Sequence, residues 1–212
     1  MFLIEFACPR GALADGDRRL LAADVCEVLV GAEEGVAEET MRRARAMTHV
    51  GFRELDGWTT GDGPWTPGAV PPLWVTLTVP ESWRSEMSRT ATGAVRRAVR
   101  HLDRQHDWQR AQEDLWVNLV GIADGSIGMG GKPCTADEVV AHMTAEYRAQ
   151  RDAGAADGTD LPEGIVIDPM CGMHVRLGPG ALTLEHDGRT MGFCAAACRA
   201  AYARENNLPV PA

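Results

Sequence analysis

The chain has 212 residues, 45% of them hydrophobic, enough for one substantial core and a small additional module. Thirty acidic side chains against 21 basic ones leave a net charge of -9, which disfavours nucleic acid and anionic membrane surfaces as partners. The acidic excess is scattered without a block of like charge, so it reads as a solvated surface and not as a binding tail. Lys132 is the only lysine, which leaves a single candidate for Schiff-base chemistry. The apolar run at residues 1–4 ends at Glu5, shorter than a secretory signal, and no 18-residue apolar stretch occurs. The expectation is a cytoplasmic protein in which Cys8, Cys26 and Cys134 are reduced core or surface thiols.

Residues 1–151 read as two copies of one pattern. The first copy, about residues 1–70, opens with a strand over 2–7. Asp15 then caps a helix in which Leu20, Leu21, Val25, Val28 and Leu29 recur at helical spacing up to Gly31. A second helical piece over 36–47 leads to a strand over 49–55, followed by a Gly-, Trp- and Pro-rich stretch at 56–72. The second copy repeats the order: a strand over 73–79, a helix over 84–102 with Ser82 as its cap, and a strand over 115–122. That helix is expected to bury Met87, Ala91, Ala94, Val95, Ala98 and Val99. The glycines of Gly128-Met129-Gly130-Gly131 make a hairpin; they are not a dinucleotide loop, because Lys132-Pro133-Cys134 separates them from the next helix. That last helix, over 135–151, starts with Thr135 and Glu138 in capping-box spacing. Two β-α-β units in tandem predict an α/β fold of the α+β kind, with parallel strands inside each unit and helices on one face of a sheet.

This first portion resembles the tautomerase superfamily, the group of 4-oxalocrotonate tautomerase and macrophage migration inhibitory factor. Pro72-Leu73-Trp74-Val75-Thr76-Leu77 resembles the opening strand of that family, and residues 117–131 its second strand and glycine hairpin. Phe2-Leu3-Ile4, Pro9-Arg10, Asp15-Gly16 and Trp58-Thr59-Thr60-Gly61 are similar to the migration-inhibitory-factor branch. The resemblance implies fused β-α-β pairs assembled as a homotrimer, with pockets for small acidic substrates between subunits. It also implies an N-terminal proline as catalytic base, and this chain departs from that: residue 1 is methionine, and Pro72 is a tertiary amide with no basic nitrogen. The remaining catalytic candidates are the Met1 amine as base and Arg10 and Arg84 as carboxylate holders. Trp58, Trp65, Trp74 and Trp116 are expected against the sheet or at subunit contacts.

Residues 152–164 are small, polar and rich in Gly and Asp, and read as a linker to a module at 165–212. The module carries Asp168-Pro169-Met170-Cys171-Gly172-Met173-His174 and, after about twenty residues, Cys194-Ala195-Ala196-Ala197-Cys198. C-x2-H followed by C-x3-C is a spacing that can bring four donors to one tetrahedral Zn²⁺. Asp187-Gly188 is a two-residue hairpin turn between the halves. A helix over 195–204 is expected to hold Cys194 and Cys198 as an i, i+4 pair near its positively polarised start. Cys171, Cys194, Cys198 and His174 are the candidate ligands. The segment 165–207 resembles the YHS family of small metal-associated domains, through Asp168, Pro169, Cys171, Gly172, Met173, Gly188, Phe193, Cys194 and Cys198. That resemblance implies a treble-clef-like module with metal on the three cysteines; His174 is proposed from spacing alone.

A metal-binding protein on a tautomerase-like scaffold follows as the first expectation, with zinc as the metal. Cu⁺ or another soft ion is the alternative, because Met170 and Met173 flank Cys171. The site is either structural, stabilising a module too small to fold on its own core, or functional. The alternative function is a tautomerase or isomerase-type enzyme on a small keto or unsaturated acid, with a structural or catalytic metal in the C-terminal module.

Overall fold

A computed structural model describes residues 2–32, 35–154 and 161–210. In chain order the elements are β1 (Phe2–Pro9), α1 (Asp15–Val30), α2 (Glu38–Ala46), β2 (Thr48–Leu55), β3 (Thr59–Thr60), β4 (Gly63–Pro64), β5 (Leu73–Pro80) and α3 (Glu81–His106). They continue with β6 (Leu115–Ile122), β7 (Ile127–Met129), β8 (Lys132–Cys134), α4 (Ala136–Asp152), β9 (Ile165–Ile167), β10 (His174–Arg176), β11 (Leu182–His186), β12 (Arg189–Phe193) and α5 (Ala196–Glu205). The fold is α+β, with β-α-β elements around a mixed four-stranded sheet. Among the described residues, no helix is long and apolar enough to cross a membrane.

Two compact units are present, and both are discontinuous in sequence. The first comprises Met1–Gly31, Thr48–Val79 and Met87–Ile122. Its sheet has the order β2-β1-β5-β6. β1 runs parallel to β2, with Phe2 opposite Thr48 and Pro9 opposite Leu55. Against β5, β1 runs antiparallel, with Leu3 opposite Thr78 and Ala7 opposite Trp74. The two β-α-β copies thus meet back to back at β1 and β5, and the sheet is mixed and not all-parallel. Strand alternation sorts the side chains: Phe2, Ile4, Phe6 and Cys8 on β1 and Leu73, Val75, Leu77 and Val79 on β5 are buried. Leu21 and Val25 of α1 and Ala91, Ala94, Val95, Ala98, Val99 and Leu102 of α3 are buried too, at helical spacing. Each large aliphatic removed from water in this way contributes roughly 1.5–3 kcal/mol.

Two helix starts differ from the sequence reading, and a third follows it. Ala14, and not Asp15, is the N-cap of α1, and the Asp17 carboxylate accepts the Ala14 N–H at 2.9 Å. α3 begins directly from β5, so Ser82 lies inside the helix and caps nothing. Thr135 caps α4 as its sequence predicts, with reciprocal bonds to Glu138.

The second unit comprises Ala32–Met47, Pro80–Glu86 and Ala123–Ala212. It includes α2 and α4, which the sequence places in the front portion. α2 presents Thr40, Met41 and Ala44 inward, and α4 presents Val139, Val140, Thr144 and Tyr147. The β7–β8 hairpin turns at Gly130-Gly131, both left-handed (φ 59° and 80°), so the glycine run serves the turn. Asp187 and Gly188 (φ 51° and 70°) make the same kind of turn between β11 and β12. The predicted linker falls partly on residues 155–160, outside the described residues.

Candidate metal centre

β9 and β10 form a short antiparallel pair with Ile167 opposite His174. The connection between them is a tight knuckle built by Asp168 and Gly172. Asp168 Oδ1 accepts the Met170 N–H at 2.8 Å, an Asx turn, while Asp168 donates its own N–H to Met173 O at 2.8 Å. Gly172 donates to Asp168 O at 2.9 Å and adopts φ +78°. A Cβ there would stand 2.5 Å from both the Ala37 Cβ and the Tyr147 ring, so the close approach and the dihedral angle both demand glycine. Thr40 of α2 donates its hydroxyl to Cys171 O at 2.8 Å, and Arg151 of α4 donates to Pro169 O. Every turn of the knuckle is thus tied to a neighbouring element.

The β11–β12 hairpin delivers the other two cysteines. β12 ends at the buried Phe193, whose ring packs on Tyr202 of α5 at 5.4 Å. Gly192 passes so close to β9 that a Cβ would lie 2.5 Å from Val166. Cys194 follows immediately and precedes the N-cap, Ala195, so it is not on α5; Cys198 is in the first turn of that helix. The Glu86 carboxylate accepts the Ala196 N–H at 3.2 Å, a favourable charge at a helix start.

These segments converge on four donors. Sγ of Cys171 lies 3.4 Å from Sγ of Cys194, which lies 3.8 Å from Sγ of Cys198. The donor atoms of Asp168, Cys171, Cys194 and Cys198 are all within 4.8 Å of one another. Asp168 is fully buried, as are Cys171 and Cys198 nearly, whereas Cys194 has an exposed edge. The second Asp168 oxygen accepts the Cys194 N–H at 2.9 Å, so one carboxylate fastens both cysteine-bearing segments.

Crowding three thiols and a carboxyl in a low-dielectric pocket sets their ionisation. Hydrogen bonds from the Cys171 and Cys198 thiols hold Cys194 well below the ordinary thiol range. Cys171, which shares its proton with the Cys194 thiolate, is pushed well up, and Cys198, bonded to both other sulfurs, likewise. Burial, together with the Cys194 charge, pushes Asp168 up to about 7. A cation would replace the shared protons and allow all four donors to ionise. The donor chemistry fits a thiophilic ion: sulfurs at a Zn–S distance of about 2.3 Å in a tetrahedron stand about 3.8 Å apart.

His174 is not a member of this group. It starts β10, where alternation turns Val175 inward and leaves His174 and Arg176 exposed. Its imidazole lies against Gly35, where an added Cβ would meet Nδ1 at 2.6 Å. The group of four donor atoms thus holds Asp168 and not His174, the residue that sequence spacing offered beside the cysteines. Spacing favoured the imidazole after Cys171, but the knuckle reverses the chain before it; the signal for the carboxylate was Asp-Pro three residues ahead of the cysteine.

Two of the catalytic candidates, Arg10 and Arg84, are among the described residues, each in a different unit. Met1 lies outside the described residues. Arg10, in the first unit, is ion-paired with Asp56, and Arg84, in the second, bonds to Glu81 at 2.8 Å within α3. Trp74 and Trp116 are 51% and 65% exposed, on the uncovered face of the sheet.

No family model matches the chain, and no curated protein matches it. Solved structures similar to it include a fused 4-OT wild-type asymmetric trimer, at 16% identity and TM-score 0.45, over 62% of this chain and 94% of that one. Macrophage migration inhibitory factor from Toxoplasma gondii is similar at 13% identity and TM-score 0.39, over 62% and 98%. A member of the cis-3-chloroacrylic acid dehalogenase family is similar at 14% identity and TM-score 0.44, over 71% and 99%. Values this low assign the chain to no family.

Proposed function

We propose that the protein binds a thiophilic metal ion, zinc in the first place, through Cys171, Cys194, Cys198 and Asp168. The observation that carries this reading is the convergence of four donor atoms within 4.8 Å, three of them sulfur, from two separately positioned segments. Three thiolates favour Zn²⁺ or Cu⁺ over hard cations such as Ca²⁺ or Mg²⁺. The Asp168 carboxylate already accepts two backbone N–H groups, so its remaining lone pairs are what it offers the ion, in the orientation those bonds impose. The exposed edge of Cys194 gives the ion a route to solvent, consistent with a metal that exchanges as well as with one that braces the module. The YHS resemblance and a cytoplasmic location, where thiols stay reduced, belong to the same reading.

The scaffold for this centre is a tautomerase-like homotrimer. What supports assembly is the open sheet face, on which Leu3, Trp74, Trp116 and Val120 are exposed apolar side chains. In the alternative reading, an isomerase acting on small acids, Arg10 and Arg84 would exchange their exposed pairs with Asp56 and Glu81 for a substrate carboxylate.

Elemental analysis of the purified protein tests the proposal. About one zinc per chain is expected, lost in Cys194→Ser/Cys198→Ser and retained in His174→Ala. Metal-free protein whose three clustered thiols react freely would overturn it.

A further inference from the structure

We infer that the first unit carries a second ligand site, for a small organic dianion, in the groove between α3 and β6. The groove has a volume of about 510 Å³, and all its lining residues belong to that unit. Arg96 and Arg100 line it from α3, one turn apart, so both guanidinium groups project from the same helix face. Like charges at this spacing repel, and a stabilising design would place a carboxylate between them. Asp103, one turn further on, is the natural candidate, but Arg110 already holds it: Nε reaches both carboxylate oxygens at 3.1 Å and Nη2 reaches Oδ1 at 2.8 Å. That pair is buried, with Arg110 only 5% exposed, and Arg110 also donates to Pro71 O, so it forms a fixed wall of the groove. Among the described residues, Arg96 and Arg100 have no ion-pair partner.

The lining charges are therefore three guanidinium groups against one carboxylate, a net of two positive charges in a chain of net charge -9. Thr92 and Gln112 add hydrogen-bonding groups, and Val99, Leu115 and Val117 supply an apolar wall. Planar guanidinium forks match phosphate and carboxylate oxygens, and an apolar wall suits a carbon body beside them. The ligand class is thus a doubly negative small molecule with an apolar part, either a phosphate monoester or a dicarboxylate. The site is independent of the thiol cluster.

Calorimetric titration of the full-length protein at pH 8 with phenyl phosphate, phthalate and benzoate tests it. One equivalent of phenyl phosphate or phthalate should bind saturably, weaken with added salt, and outcompete the monoanion benzoate; whichever binds tighter identifies the source of the charge. Removing one charge-assisted contact should weaken binding roughly tenfold or more. Arg96→Gln and Arg100→Gln should each have that effect, and Arg97→Gln, on the same helix but outside the groove, should have none. These exposed substitutions between good helix formers leave the fold intact, which an unchanged melting temperature would verify. Failure of both dianions to bind, equal binding of benzoate, or equal affinity in all three variants would overturn the site.

Discussion

The first unit and the cysteine centre of the second are stabilised in different ways. In the first, alternating strand residues and an apolar helix stripe bury Phe6, Leu21, Leu77, Val95 and Leu102 around a mixed sheet. Its stability is spread over many contacts, each modest. Around the centre, by contrast, order depends on a few groups: Asp168 fastening two segments, Thr40 and Arg151 holding knuckle carbonyls, and glycines where other segments of the chain pass within van der Waals distance. Burying three thiols and a carboxyl together is unfavourable unless a cation neutralises them. A region of the first kind degrades gradually under mutation, and one of the second kind fails when a single donor is removed.

The sharpest break of that contrast is Cys194→Ser/Cys198→Ser. Metal content should fall to zero, and the second unit should melt in a separate, earlier transition while the first persists; calorimetry distinguishes two transitions from one. Asp168→Asn should come next, because the new amide cannot accept from both Met170 and Cys194; metal affinity should fall about 10–100-fold, read by competition with a chromogenic chelator. Gly172→Ala forces a side chain into Ala37 and Tyr147 at an unfavourable φ, and should destabilise the second unit by roughly 2–4 kcal/mol in denaturant melts. Val95→Ala in the first unit should cost about 2 kcal/mol in the same melts without changing metal content, the distributed response.

The pH dependence sharpens the comparison further. In the metal-free protein Asp168 holds its proton up to about 7, far above its unfolded value near 4. A raised folded-state value favours folding while the group is protonated. Its contribution is therefore complete below pH 4 and is lost as the pH rises to 7, on the order of 4 kcal/mol in all. The lowered Cys194 value acts in the opposite sense, contributing above the ordinary thiol range and fading as the pH falls. In metal-free wild-type protein the two contributions therefore oppose each other between pH 4 and 7 and leave stability nearly flat, whereas Asp168→Asn, which removes only the first, should make stability rise with pH across that window. Metal-loaded protein should instead gain stability as the pH rises, since binding releases the protons.

Much of this was legible beforehand because short-range chemistry governs it. The strand at Leu115–Ile122, the capping box at Thr135 and the turns at Gly130-Gly131 and Asp187-Gly188 follow from propensity and local geometry. The three clustered cysteines announced themselves by spacing. Their fourth companion did not, because whether His174 or Asp168 faces the sulfurs depends on where the knuckle reverses, and one residue of register in a strand exchanges inside for outside.

By itself, then, the sequence determined the β-α-β alternation, the turn chemistry and the cysteines that gather. Only the tertiary structure decided that β1 and β5 meet antiparallel, that Cys194 sits ahead of α5, that Asp168 joins the sulfurs, and that α2 and α4 pack in the same unit as the knuckle. The physical reason is range: hydrophobic period and turn preference are set within a few residues. Donor direction and the partners of a buried carboxylate are fixed by segments far apart in the chain, whose approach no local pattern encodes.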